Sequence, residues 1–246
     1  MKMAILNNGG HVGAAMSLVE IMVVIYKRIS NINLKNYKNQ NRDRIILSKG
    51  HGCLVLYSIL YECKILSKRT LNSYSKPDSI LAGHPEHFIP GVEASTGSLG
   101  HGLPISVGLA ISAKLKNEKF KTIVIVGDGE LNEGSNWEAM MMASKYKLNN
   151  LLLIIDYNKI QSYGFNKDIL DLEPLKDKIK SFGFYTQEVD GHNLNKIEKK
   201  IRSCFNNKSK PSALICHTIK GKGIKVAENN PEWHYVKNLN QILKKD

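Results

Sequence analysis

Short apolar runs alternate along this chain with longer stretches in which apolar positions recur every three or four residues. The runs at 44–47, 122–126, 151–155 and 212–218, with the more polar 185–189, have the length and β-branched content of strands. Helical spacing predicts one long helix over 12–26 and others over 53–63, 103–116, 135–146, 175–182 and 194–205. A short further helix follows Ser67, whose hydroxyl can cap it. Residues 76–102 hold three prolines and five glycines and read as loop, as does 156–172. Strands alternating with helices of this length predict an α/β fold: a doubly wound parallel sheet with helices on both faces. Ligands of such sheets lie beyond the carboxyl ends of the strands. Asp128, Asn158, His51 and the segment after Thr218 all fall there.

At 246 residues, 42% hydrophobic and 23% charged, the chain suits one large domain with a proper core. No window approaches the ~18 unbroken apolar residues of a membrane span. The apolar stretch behind Lys2 is interrupted by Glu20, so a secretory leader is not expected and the cytoplasm is. Cys53, Cys63, Cys204 and Cys216 form no CxxC pair and read as core thiols. The net charge of +13 is scattered over 35–44, 196–210 and the C-terminal stretch. With no recognition helix beside it, it argues against nucleic acid and for attraction to anionic, phosphorylated substrates.

Gly127-Asp128-Gly129 is by itself as much a tight turn as a site. Asn158, at the end of the next apolar run, changes that, because neighbouring strand ends lie about 5 Å apart. A carboxylate, an amide oxygen and a nearby backbone carbonyl are what a hard divalent cation such as magnesium takes up while sharing phosphate oxygens. Glycines beside the aspartate let backbone amides approach a diphosphate.

This spacing resembles the thiamine diphosphate fingerprint, and the whole chain resembles the diphosphate-binding (PP) half of transketolase. The stretches that carry the likeness are GGHVGAAMSLVEI, LSKGHGCLVLYSIL, AGHPE, STGSLGHGLPISVGLA, HTIKGKG and NNPEWH, in the family's order. The resemblance implies that Asp128, Asn158 and the Ile160 carbonyl bind Mg2+ or another divalent cation such as Ca2+. It implies that His51, Gly97, Ser98, Leu99, Gly129 and Asn158 contact thiamine diphosphate. It places His11, His84 and His234 at the reacting carbonyl and Glu133 at the subunit contact. Two departures are Tyr157, where many relatives have asparagine, and Trp233-His234-Tyr235, where full-length members have a His-Gly step.

Imidazoles suit the task, since a ketose carbonyl must be polarised and hydroxyl protons moved near neutral pH. Singly, each histidine is as readily a helix cap or a core residue; their ordered set favours function. His87, His101 and His192 are expected to be structural. Lys220 and Lys222 can draw a diphosphate or be solvated loop lysines, and the helix around 137–142 can be core or subunit contact.

The resemblance further implies a glutamate on a second, pyrimidine-binding domain, which the sequence to Asp246 does not contain. The expected organisation is a cofactor-binding domain over 1–225 and a C-terminal docking tail over 226–246. The expected partner is a separate pyrimidine-binding transketolase subunit in an α2β2 assembly acting on sugar phosphates. The expected reaction is ketol transfer. The alternatives are 2-oxo acid decarboxylation, as in deoxyxylulose phosphate synthase or dehydrogenase first components, and a non-catalytic relic half.

Overall fold

The computed structural model describes residues 1–7, 9–30 and 32–239. Five strands form one parallel sheet: β1 (Arg44–Leu47), β2 (Thr122–Gly127), β3 (Leu151–Tyr157), β4 (Tyr185–Asp190) and β5 (Ser212–His217). Their spatial order is β1-β2-β3-β5-β4. Every residue of β2 and β3 is buried, which is why these strands read as unbroken apolar runs rather than alternating ones.

Alternate side chains feed two cores. Ile123, Ile125, Leu152, Ile154 and Leu214 point to one face. There they meet α1 (Val12–Met16), α2 (Val19–Val24), α3 (Cys53–Glu62) and, past β4, the later helix Leu194–Asn206. Val124, Val126, Leu153, Ile155 and Ile215 point to the other, under α4 (Gly102–Leu115), α5 (Gly134–Lys145) and α6 (Leu175–Ser181). The Leu194–Asn206 helix is α7, started by Asn193, whose side chain accepts from the Lys196 amide. Pro104 sits in the first turn of α4, where no intrahelical N–H is required.

The single helix expected over 12–26 is instead two short helices and a π-turn at Ile25–Ile29. Ser17 marks the break. Its hydroxyl lies 3.1 Å from the Ala14 carbonyl and 2.6 Å from the Asp156 carboxylate, and Leu18 N–H bonds back only three residues, to Ala15. The loop expected over 156–172 begins inside β3. It then forms a hairpin, Ile160–Gln161 against Gly164–Phe165, and a turn of helix at Asn166–Ile169.

Within the described residues, the segment assigned to a docking tail folds back onto the body. Val236–Lys237 pairs antiparallel with Gly9–Gly10, and Trp233, Val236 and Leu239 are buried in the first core. A Cβ on Gly9 would sit 2.2 Å from the Val236 carbonyl oxygen, so the close pairing requires glycine there. Residues 240–246, with most of the small apolar cluster at 239–243, lie outside the described residues. No described helix is long and apolar enough to cross a membrane.

Candidate active site

Parallel pairing of β2 with β3 sets Gly127 opposite Asp156, so Asp128 and Asn158 leave adjacent strand ends together. They share the wall of a cleft of about 210 Å³ with Ile160, Gly129, Gly97 and Leu99. The same cleft is lined by His11, His51, His84 and His234. Each histidine arrives differently. His11 precedes α1, His51 follows β1, His84 comes from the proline-rich loop, and His234 ends the Pro231–His234 turn that the pairing of Gly9–Gly10 with Val236–Lys237 holds in place. Ring centroids of His11 lie 5.4 Å from His51, 5.9 Å from His84 and 5.3 Å from His234. Ser98, expected to touch the cofactor, and Glu133, expected at the subunit contact, do not line the cleft. Ser98 is exposed between Gly97 and Leu99, and Glu133 is exposed at the start of α5.

The site is rich in buried charge. Burial, with the nearby Asp156, pushes the Asp128 carboxyl up to about 6. Its Oδ1 accepts from the Gly129 amide at 2.8 Å and its Oδ2 from the Lys159 amide. Burial also works to raise Asp156, but the Lys49 ammonium 2.5 Å away outweighs it, helped by the Ser17 and Thr218 hydroxyls, and the carboxyl ends below its usual range. Glu130 is raised by burial while its oxygens accept from Ser48 Oγ, Gly100 N at 3.0 Å and Gly127 N at 3.1 Å. It thereby ties three loop ends together under the cleft. Lys220 Nζ donates to the Ile160 carbonyl at 3.1 Å, the Gln161 carbonyl at 3.3 Å and His234 Nδ1 at 3.0 Å. Burial, then repulsion from Lys49, bring the Lys220 ammonium down to about 8.

His11, His51 and His234 are neutral at pH 7. Burial, then His84 and Lys220, lower His11 to about 4; burial, then Lys220, lower His234 to about 3; burial above all depresses His51. Because His234 Nδ1 accepts from the Lys220 ammonium, its ring proton sits on Nε2.

The residues present fit a divalent cation carrying a diphosphate. The donor set is all oxygen: a carboxylate, a side-chain amide and the Ile160 carbonyl, whose second lone pair remains beyond the Lys220 contact. Among the described residues no cluster of three or more His, Cys, Asp or Glu could hold a metal by itself, and three protein oxygens leave positions open to phosphate oxygens or water. Gln161 Nε2 lies buried in the cleft wall without a partner. Gly97 has φ +144° and a Cβ there would meet the His84 ring at 2.6 Å, while a Cβ on Gly129 would meet Gln161 at 2.6 Å. Side chains at these two positions would close the approach to the backbone.

Lys49, Glu130, Asp156 and Gln161 were not anticipated from the sequence. A signal for Asp156 existed: a carboxylate that closes an apolar strand run has to be buried with a partner. Of the histidines given no catalytic role, His192 is a brace. Its Nδ1 faces Glu20 at 3.1 Å and its Nε2 accepts from the Ile219 amide at 2.8 Å. His87 bonds Ser95 out on the loop. Lys222 pairs with Glu228 at 3.5 Å, half exposed, whereas Lys220 is in the cleft. The helix around 137–142 divides: Met140 is buried and Met141 and Met142 are exposed.

Residues 3–239 match the family described as transketolase, thiamine diphosphate binding domain. A subunit of the apulose-4-phosphate transketolase from Actinobacillus succinogenes is 47% identical over 92% of this chain and 82% of its own length. A subunit of the 6-deoxy-6-sulfo-D-fructose transketolase from a Clostridium species is 36% identical over 96% of this chain and 86% of its own. The crystal structure of transketolase from Campylobacter jejuni superposes with a TM-score of 0.92 at 32% identity, covering 99% of this chain and 39% of that one.

Proposed function

The chain belongs to the transketolase thiamine diphosphate-binding domain family, and on that premise we propose that it is the diphosphate-binding subunit of a two-chain transketolase. It moves a two-carbon ketol unit from a ketose, as its phosphate, to an aldose acceptor. The observation that carries this reading is the joint cleft: four histidines, three of them held neutral, and an all-oxygen cation site line the same space.

On this reading Asp128, Asn158 and the Ile160 carbonyl hold magnesium or calcium, while Gly97, Leu99, Gly129 and His51 line the seat of the diphosphate. Thiamine diphosphate, when bound, supplies the electron sink that lets the bond beside a ketose carbonyl break. This chain's own residues bind, orient and handle protons. His234 offers its Nε2 proton to the substrate oxygen, because Lys220 occupies Nδ1. A neutral donor beside an ammonium polarises a carbonyl without giving up its proton permanently. His11, whose pKa is held at about 4, stays unprotonated and can accept a hydroxyl proton. Lys220 and Lys49 line the cleft and supply positive charge for a phosphorylated ligand to meet.

A second, pyrimidine-binding chain completes the pocket, in two copies of each. Support comes from relatives whose names make them subunits of their transketolases rather than whole enzymes. It comes also from the apolar surface of α4 and α5, where Ile105, Leu115, Met141 and Met142 are exposed. Glu133, exposed beside the Gly100 loop, is placed at that contact. The reading puts the protein in the cytoplasm, where the four free thiols stay reduced.

The test is a donor and acceptor screen in thiamine diphosphate and Mg2+, run on the chain co-expressed with its pyrimidine-binding partner. Transfer from a ketose phosphate to an aldose is expected. Carbon dioxide release from pyruvate with no ketol transfer would replace this reading with decarboxylation, and no turnover with any donor would leave a non-catalytic half.

A further inference from the structure

We infer that Asp156 is a positioning residue that sets which end of the Asn158 side-chain amide faces the cation. The inference rests on the cation site proposed above. Asp156 is fully buried and does not line the cleft. Its Oδ1 accepts from the Thr218 hydroxyl; its Oδ2 accepts from Lys49 at 2.5 Å and Ser17 at 2.6 Å, and lies 3.4 Å from Asn158 Nδ2.

The two ends of an amide are near-equal in shape and opposite in chemistry: only the oxygen can ligate a cation. The surroundings of Asn158 distinguish them twice. A carboxylate held by Lys49 and two hydroxyls is an acceptor only, so it faces the amide nitrogen. The Ile160 N–H, a donor only, faces Asn158 Oδ1 at 3.1 Å. Turning the amide over would set oxygen against the Asp156 carboxylate and nitrogen against the Ile160 N–H, two mismatches in a site where Asn158 is 7% exposed. With the nitrogen committed to Asp156, the second lone pair of Oδ1 is left for the ion. Asp156 thus acts on the cation through its ligand, as outer-shell partners of metal sites do.

A different account is that Asp156 merely gathers Ser17, Lys49 and Thr218, and so the segments bearing His11, His51 and Lys220. The two separate by experiment. The full chain with its pyrimidine-binding partner is titrated with thiamine diphosphate in a calorimeter, in Mg2+ and again in EDTA, and the ratio of the two affinities is the readout. Asp156→Asn can donate to Asn158 Oδ1 and so favours the wrong end; the ratio is expected to fall ~10–100-fold. The swap Asp156→Asn with Asn158→Asp should recover most of it, because the new amide donates to the inner oxygen of the new carboxylate and leaves the outer one for the ion. A scaffolding role predicts no such rescue.

An unchanged ratio in Asp156→Asn, or a swap no better than the single variant, overturns the inference. If Asp156→Asn does not fold, Asn158→Asp alone carries the test. It sets two acceptor-only groups face to face and should lose the Mg2+ gain despite its added charge; tighter Mg2+ binding there would refute the inference. A parent that shows no Mg2+ gain removes the cation site itself, and this inference with it.

Discussion

The two ends of the sheet are built from the same strands and both carry ionic groups, yet they use them oppositely. At the amino end Arg42 and Arg44 meet Glu93, the Arg44 guanidinium lies 4.4 Å over the Phe120 ring, and Lys121 Nζ lies 4.2 Å over Phe205. The two arginines there keep 12–15% of their side-chain surface in water. At the carboxyl end Lys49, Asp128, Glu130, Asp156 and Lys220 are buried around a cleft. Charge at the amino end, with 8–15% of each paired side chain still exposed, keeps some contact with water. Charge shut in around an open cleft is stable only through mutual pairing, and it leaves a strong field for a ligand to use.

If that contrast is right, breaking one ion pair at each end should give unequal results. Lys49→Met strands the Asp156 carboxylate in the interior and should lower unfolding free energy by about 3–5 kcal/mol in urea titrations. Asp128→Ala is expected to weaken thiamine diphosphate in Mg2+ about 100-fold in calorimetry, with little change in EDTA, since the diphosphate loses its bridging cation.

Acid should act on the carboxyl end. The unfolded chain protonates His11, His51 and His234 near 6.5, whereas in the folded state His11 waits until about 4 and His234 until about 3. Their contribution to stability is therefore lost as pH falls from 6.5 toward 4. Asp128 works the other way. Its folded carboxyl takes a proton near 6 and its unfolded one near 3.8, so this group favours the folded state increasingly as pH falls through that window. Three depressed histidines and the lowered Asp156 against two raised carboxyls, Asp128 and Glu130, leave a net loss of stability on acidification, readable as the slope of urea stability against pH. Cofactor affinity should fall below about pH 6, where Asp128 is protonated. A flat stability profile over this window would break the contrast between the two ends.

The smallest effect belongs to the amino end. Glu93→Gln keeps an oxygen for Arg42 but removes the charge that attracts Arg44 from 3.8 Å, so a loss of about 1–3 kcal/mol, smaller than that of Lys49→Met, is expected in the same urea experiment. A loss equal to that of Lys49→Met would show that burial does not separate the two pairs.

Much of this was legible in the sequence for local reasons. Unbroken apolar runs such as Ile123–Val126 declare a strand buried on both faces. The spacing from Asp128 to Asn158 is one strand–helix–strand unit, so their meeting follows once the strands are neighbours. His11, His51 and His84 could be listed, but their shared wall could not be measured. The break at Ser17 was invisible, because its cause is a carboxylate 139 positions away. The same holds for Lys49, which in the sequence is one more lysine of a basic chain.

What the chain decides by itself is therefore the alternating strand and helix pattern, its two-faced burial, and the all-oxygen donor set at two consecutive strand ends, since each follows from residue type and short-range spacing. Tertiary structure alone decides that Asp156 reaches Ser17, Lys49 and Thr218, that Lys220 occupies His234 Nδ1, and that the segment after 230 returns to Gly9 and delivers that histidine. These contacts join segments far apart in the chain, and their energies come from burial, which exists only once the layers have packed.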